Sequence, residues 1–527
     1  MIIGIDTGGT NVDAALVGAD GVVDTAKVPN AETGESIEDV LEDLLADRDA
    51  SVVDRVVVAT TLVVNAAVQD RLPACSNVLV PGPGLAAERA FYGDENHVAD
   101  GGIDPRGRVI EPARFDETVS NDVVAVTAKF SARNPELERT IGDDVDATET
   151  ALGNESGAGL TFPERAATTV ANAKAKPVFL EYRRDIEAAV EAAAIDAPVY
   201  YLKGDGAMLS ADSMAETPAQ TLRGGSAASA LGLLSLSGVD DAVTVDVGGT
   251  TTDVTRVVDG YPAVEGGIPE GDIEPGYDGV VSESLPIGGD THVVSGADGP
   301  QLADERVGHA VAFGGPEPTV TDALHVLDDF TAGDTDAAEA AIRSVGEPTG
   351  DDPASVASAI LEAYLERVRR AVSDLQTPET TALVAGGVLA PFLAERIASG
   401  TGLEAVVVPE HADVAGAVGC GVARVSVETA VHADSARGVM TVTSIGPEAV
   451  ETIETGRRFT DEQARDITVE RAREAAERAG GDPSTDVEVR SLERFSVVDQ
   501  AEVTGQIFDA EARIEPGIEY TFAEDSP

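Results

Sequence analysis

Ile5-Asp6-Thr7-Gly8-Gly9-Thr10-Asn11-Val12-Asp13 returns later in the chain as Val245-Asp246-Val247-Gly248-Gly249-Thr250-Thr251-Thr252-Asp253. Both copies read D-x-G-G-T-x-x-D, with the same spacing of 240 residues from Asp6 to Asp246 and from Asp13 to Asp253. Each follows an apolar run and precedes a β-like run that ends in Asp-Gly, at Asp20-Gly21 and Asp259-Gly260. Glycines let a tight turn bring N–H groups against phosphate oxygens. Thr hydroxyls add donors. An Asp at the strand end can hold hydrated Mg²⁺, which keeps several waters and takes few carboxylates. Two such hairpins face to face would clamp the phosphates of a nucleotide. An ordinary tight turn requires neither Asp nor Thr at these offsets.

Working outward, strands and helices alternate, which reads as α/β. Strands are expected at Ile2–Asp6, Val12–Val17, Val22–Val28, Val53–Ala59, Asp122–Thr127, Val199–Lys203, Ala242–Asp246, Ala382–Ala385 and Ala405–Val408. Helices are expected at Ser36–Asp47, Leu62–Gln69, Pro135 to about Thr150, Pro163–Ala175, Ser226–Leu236, Pro353–Val372, Leu389–Ala398 and Val414–Val425. After about residue 430 the composition shifts. Strands at Val439–Ser444, Val487–Val498 and Glu511–Ile514 and a helix at Glu462–Ala479 suggest a small α+β appendage, joined through Thr429–Arg437. The expected domains are 1–177, 178–429 and 430–527.

The 527 residues carry 36 Lys+Arg against 95 Asp+Glu, a formal net charge of −59. Such a surface repels phosphate backbones and anionic lipid heads, so no nucleic-acid or membrane partner is expected. Aromatics are 4% and Trp is absent, which argues against a stacking platform for single strands. The two cysteines, Cys75 and Cys420, cannot build a disulfide framework. With no basic leader before the first apolar run, the expectation is a cytoplasmic protein with reduced thiols.

Paired D-x-G-G-T hairpins resemble the phosphate loops of the actin/sugar-kinase/Hsp70 superfamily, with its duplicated ribonuclease H-like ATPase domains. Leu383-Val384-Ala385-Gly386-Gly387-Val388 fits that superfamily's adenosine loop. Further segments resemble the ATP-binding A-type subunit of the hydantoinase/oxoprolinase family, which includes N-methylhydantoinase A and the acetone carboxylase β subunit. They are Thr60-Thr61-Leu62-Val63-Val64-Asn65-Ala66, Gly101-Gly102-Ile103-Asp104-Pro105-Arg106-Gly107, Lys129-Phe130-Ser131-Ala132-Arg133-Asn134-Pro135-Glu136, Lys203-Gly204-Asp205-Gly206, Gly225-Ser226-Ala227-Ala228-Ser229 and Pro318-Thr319-Val320-Thr321-Asp322-Ala323. The resemblance covers roughly residues 1–425. Ala59 stands where the family usually has His, and Ser226 where it usually has Pro. The resemblance implies ATP-dependent opening of a cyclic amide (a hydantoin, 5-oxoproline or a related lactam), or carboxylation of a ketone by relatives, often with a B-type partner subunit. A homo-oligomer is left open.

A lactam carbonyl is a poor electrophile. Moving the γ-phosphoryl group to its oxygen makes an imidate phosphate that water can open, and the protein supplies mainly positioning and charge neutralisation. Asp6 and Asp246 are the candidates for organising Mg²⁺. Asp253 or Asp13 either orients a nucleophile or braces its hairpin. Asn65 is a cleft candidate. Thr7, Gly8, Gly9, Thr10 and Asn11, with Gly248, Gly249, Thr250 and Thr251, are expected at the phosphates, and Gly386 and Gly387 at the adenosine. Asp290 with His292, in Gly288-Gly289-Asp290-Thr291-His292, is a candidate pair for a second divalent metal. Lys203 either reaches phosphate or ends a strand, and Asp322 lines the cleft or sits in a first helical turn. Competing readings are a partner-dependent regulatory ATPase and a small-molecule kinase. The spread of acidic residues with only five lysines matches adaptation to molar salt, where the Debye length shrinks to about 3 Å. Thermal melts should rise steeply between 0.1 and 2 M KCl; a flat profile overturns the salt-adaptation reading.

Overall fold

The computed structural model describes the 527 residues except 31–32, 158, 268, 270, 272, 297–298, 304–305, 328–329, 349, 445–449, 455–458, 483, 500–501 and 524–527. The first repeat opens on the strand Ile2–Thr7, whose Ile3 and Ile5 are fully buried. It runs antiparallel to Asn11–Gly18, which pairs with Gly21–Pro29. On its other side Ile2–Thr7 is parallel to Arg55–Thr60, and that strand is parallel to Val199–Leu202. The second repeat copies this order. Ala242–Val247 is antiparallel to Thr252–Val258 and parallel to Ala382–Gly386, which is parallel to Ala405–Val407. Ser282–Leu285 and Tyr261–Pro262 cover the outer side of Thr252–Val258. The molecule is therefore a duplicated ribonuclease H-like fold of the actin type.

The two lobes join where the helices Gly224–Ser237 and Ala415–Val422 cross. A Cβ at Gly232 would stand 1.8 Å from the Ala415 carbonyl oxygen, and one at Gly419 would stand 1.8 Å from the Ala228 carbonyl oxygen. The contact is reciprocal and only glycine permits it. Gly4 meets the same helix, since a Cβ there would lie 1.9 Å from the Ala417 carbonyl oxygen. The second helix is thus seated on the first strand of the molecule.

A four-stranded parallel sheet is inserted between Arg55–Thr60 and Val199–Leu202, in the order Glu149–Leu152, Val123–Ala128, Cys75–Val80, Glu95–Val98. The expected helix from Pro135 to Thr150 is shorter, Glu136–Asp144, because Glu149–Leu152 pairs with Val123–Val126 instead. The 31-residue helix Phe162–Ala192 starts at a capping box between Thr161 and Glu164. Its first half packs Val170 and Ala173 on the inserted sheet, and its second half packs Phe179, Tyr182 and Ile186 on the first lobe. The expected boundary between residues 177 and 178 falls inside this helix at Pro177. One rigid element thus serves two cores.

The C-terminal unit is a five-stranded antiparallel sheet with the helix Asp461–Arg478 on one face. The segment expected as a linker, Thr429–Arg437, contains most of the central strand, Glu428–Asp434. Its Val431 and Ala433 are buried with Met440, Val442, Phe508 and Ala510, and this packing outweighs the polar composition. Among the described residues no helix is long and apolar enough to cross a membrane.

The helix crossing generates a direct test. Gly232→Ala should cost roughly 3 kcal/mol in a denaturant melt, since overpacking against backbone has no soft escape. Gly34→Ala, whose nearest contact would be at 3.6 Å, should be neutral or slightly stabilising.

Candidate functional site

Antiparallel register sets Asp6 directly opposite Asp13, and Asp246 directly opposite Asp253. In each turn the first glycine closes the hairpin: the Gly8 N–H donates to the Asn11 carbonyl and the Gly248 N–H to the Thr251 carbonyl, both at 3.0 Å. The two turns meet at equivalent residues, with Thr10 Oγ1 and Thr250 Oγ1 3.0 Å apart. Beside this contact, a Cβ at Gly249 would lie 3.1 Å from Thr10 Oγ1 and one at Gly9 would lie 3.8 Å from Thr250 Oγ1. The sequence repeat has become a local two-fold axis with phosphate-type turns on either side.

The carboxylates behind the turns press on one another. Burial, and then the charges of Asp13 and Asp246, hold Asp6 well above the usual carboxylate range. Burial also raises Asp246, although Ser229 donates to its Oδ2 at 2.5 Å. Burial pushes Asp13 up to about 6 in spite of Lys27, whose Nζ lies 3.0 Å from its Oδ2. Burial, with Asp246 adding to it, pushes Asp253 up to about 6, against the Ser284 and Ser226 hydroxyls. Asp6 Oδ1 and Asp13 Oδ1 are buried with no hydrogen-bond partner among the described residues. Such groups call for a cation or a proton. Among the described residues, no three His, Cys, Asp or Glu side chains converge as a metal cage.

Gly386 is in register with Asp246, and a Cβ there would lie 3.3 Å from Asp246 Oδ1. Gly387 has φ +89°, and a Cβ on it would strike the Val247 carbonyl oxygen at 2.1 Å. The Gly-Gly pair therefore brings backbone alongside the second hairpin, just before the helix Ala390–Ala398. Asn65, on the helix Leu62–Val68, donates to Thr61 Oγ1 at 3.1 Å, and Thr61 Oγ1 donates to the Thr7 carbonyl. It sits at the end of the first strand.

Several expected site residues are engaged elsewhere. Thr7 Oγ1 donates to the Ala59 carbonyl at 3.0 Å and pairs with the Tyr182 hydroxyl at 2.8 Å, so it faces the core rather than a phosphate. Asp290 and His292 do not converge. Asp290 pairs with Arg306 at 2.9 Å and His309 at 3.3 Å, whereas His292 lies 3.7 Å from Glu317. The expected second metal pair is not formed, because Asp290 lies in a turn against the second hairpin while His292 bridges away to Thr319. Lys203 is buried and bonds Asp205 at 2.9 Å, and Asp205 also takes Arg513 of the C-terminal sheet at 2.8 Å. Lys203 thus pairs within its own turn, and Arg513 ties the C-terminal sheet to that turn. Asp322 accepts from the N–H groups of Val311, Ala312 and Thr319 and so anchors a loop.

Lys27 escaped the reading of the sequence, which quoted Ser226 and Ser229 in a family-like segment but gave them no partner. Counting back through the turn at Asp20-Gly21 sets Ala26 across from Asp13; a register shift between Leu16 and Val17 puts Lys27 there instead. Docking of the small-residue helix is what brings the two serines to Asp253 and Asp246. Ala59 is in register with Asp6 on the neighbouring strand, so the residue that stands in place of the expected His carries only a methyl group there.

Asp253→Asn should raise stability at pH 8 by roughly 2 kcal/mol in the nucleotide-free protein. A raised folded pKa means that the native state binds the extra proton between about pH 4 and 6, so the ionised group destabilises above that window. The gain should vanish as the pH falls to 4. Paired melts of the two proteins at pH 4, 6 and 8 check the sign.

Comparison with known proteins accords with this geometry. A family described as hydantoinase/oxoprolinase matches residues 165–429, and its N-terminal region matches residues 2–147. The caprolactamase subunit alpha of Pseudomonas jessenii is 25% identical over 483 aligned residues, covering 78% of this chain and 68% of that protein. Among solved structures, nucleotide-free acetone carboxylase superposes with a TM-score of 0.72 at 16% identity, covering 100% of this chain and 88% of that one. The ATP-dependent caprolactamase from Pseudomonas jessenii superposes with a TM-score of 0.66 at 19% identity, with the same coverage. With the repeated hairpins, their shared fold and two family matches spanning both lobes, the chain belongs to the hydantoinase/oxoprolinase family.

Proposed function

We propose that the chain binds Mg·ATP between the two hairpins and uses its terminal phosphoryl group to activate the carbonyl of a cyclic amide for ring opening. The observation that carries this reading is the meeting of two identical turns at Thr10 and Thr250, with paired carboxylates behind each. Turn N–H groups and Thr hydroxyls orient phosphate oxygens, and the backbone at Gly386-Gly387 borders the adenosine.

The residues fit a magnesium ion. Asp6 and Asp246 would hold it, with water and phosphate completing its shell, and the orphaned Asp6 Oδ1 is the group that lacks a partner without it. When bound, the ion neutralises phosphate charge. The amide carbonyl oxygen takes the phosphoryl group and ADP leaves. Water then adds at the carbonyl carbon and the C–N bond opens as the ring nitrogen takes up a proton, which leaves an acyl phosphate; a second water hydrolyses it to the carboxylate and free phosphate. Asp13 and Asp253, both near 6, are poised to accept the water proton at neutral pH.

The names of the relatives, an ATP-dependent caprolactamase and an ATP-dependent acetone carboxylase, both pair ATP with a carbonyl compound and differ in the reaction performed on it. The designation of one as subunit alpha supports a B-type partner and a second reading, a carboxylase-type ATPase without independent hydrolase activity. Phosphate release from Mg·ATP in molar KCl, across hydantoins, 5-oxoproline and simple lactams, separates the two. Release stimulated by one ring compound, with ring opening in step and at least about 100-fold loss in Asp246→Ala, is the expected result. ATP binding with no stimulation by any compound favours the partner-dependent reading.

A further inference from the structure

The segment Gly288–Thr291 is strapped onto the second turn. The Gly289 N–H donates to the Gly248 carbonyl at 2.9 Å and the Asp290 N–H to the Gly249 carbonyl at 2.8 Å. Asp290 Oδ2 is therefore close to the turn tip: a Cβ at Gly249 would lie 3.1 Å from it. That oxygen holds the Arg306 guanidinium through Nη2 at 2.9 Å. His309 Nδ1 lies 3.3 Å from the same oxygen. Both side chains remain partly open to solvent, with exposures of 30% and 52%.

We infer that Arg306 contacts the terminal phosphoryl group of the bound nucleotide, and that Asp290 is its positioning residue. The inference rests on the reading of the hairpins as a nucleotide site. Behind the turns the charge is overwhelmingly negative, with Lys27 engaged by Asp13 and by the Asp413 carbonyl oxygen. A triphosphate brought into that field needs a positive group on its outer side. A planar guanidinium presents several donors in a fixed fork suited to phosphate oxygens. One of these donors, Nη2, is on Asp290.

The loop that carries Arg306 and His309 is itself anchored. Asp322 accepts from the Val311 and Ala312 N–H groups, two and three residues after His309. Thr321 Oγ1 donates to the Gly289 carbonyl at 2.8 Å. The Pro318–Ala323 element thus ties together the turn strap and the cation loop. Its strong sequence signal finds a purpose in tying the loop that follows Arg306 to the strap that carries Asp290.

Calorimetric titration of the full chain in molar KCl with Mg·ATP and Mg·ADP tests this. Direct contacts survive such salt while distant attraction is screened. Arg306→Ala should weaken ATP by at least about tenfold and ADP by less than about threefold. Arg306→Lys should recover part of the ATP affinity, and Asp290→Asn should fall between wild type and Arg306→Ala. A merely structural Arg306 would lower both affinities together, and equal loss or no loss for both nucleotides overturns the inference. A wild-type protein that binds neither nucleotide overturns the underlying site as well as this assignment. If wild type binds both and Arg306→Ala does not discriminate between them, the site stands and only the arginine contact falls.

Discussion

Two helices built of small residues touch backbone to backbone, and the rest of the molecule is arranged around that contact. Gly232 and Gly419 each meet the carbonyl of an alanine on the opposite helix, at Ala415 and Ala228. The crossing relates the lobes by a local two-fold, and the two hairpins arrive tip to tip as a result. The same helices form one wall of the site. Ser226 and Ser229 of the first reach Asp253 and Asp246, and Gly416 of the second leaves space for Asp6, since a Cβ there would lie 2.1 Å from Asp6 Oδ2. Close packing and charged chemistry thus depend on the same absence of side chains.

The electrostatic consequence is a site with stored strain. Burial raises all four carboxylates of the two hairpins, and neighbouring carboxylates add to it at Asp6, Asp13 and Asp253, with Lys27 as their one compensating lysine among the described contacts. Such a cluster is tolerable only if it gains a cation, a proton or a solvated opening. The Arg306 guanidinium and the His309 ring both meet Asp290, which is strapped to the second turn. Negative groups inside and positive groups outside are the polarity that a metal-bound polyphosphate requires.

Several segments with strong family resemblance are joints. The turn Asp104–Gly107 packs on Ser131–Asn134, where Asn134 Nδ2 donates to the Gly107 carbonyl at 3.0 Å. Arg106 then reaches Asp434 at 2.6 Å and Arg133 reaches Asp509 at 3.3 Å, both on the C-terminal sheet. Asp205 receives Lys203 and Arg513 in a buried network that also engages Asp278. Ion pairs at such depth are costly to break and add geometric definition. Motifs of this kind read as chemistry in a sequence because charged residues between glycines look alike whether they bind substrate or another domain.

Local pattern determined a great deal. The repeat at Asp6 and Asp246 predicted the duplication, and the apolar runs beside it predicted the strands, because a hairpin's pairing is written in its own turn and its alternation. Identity of residue types sufficed to make Asp13 and Asp253 partners of Asp6 and Asp246. Only the tertiary structure decided where those residues point. The core took Thr7 through Tyr182, and Asp290 turned from an expected metal ligand into the holder of Arg306. The helix Phe162–Ala192 ran through an expected boundary, and Glu428–Asp434 became the centre of a sheet. Each of these outcomes rests on partners remote in sequence, and periodicity carries information about a residue's own element, not about the surface that will meet it.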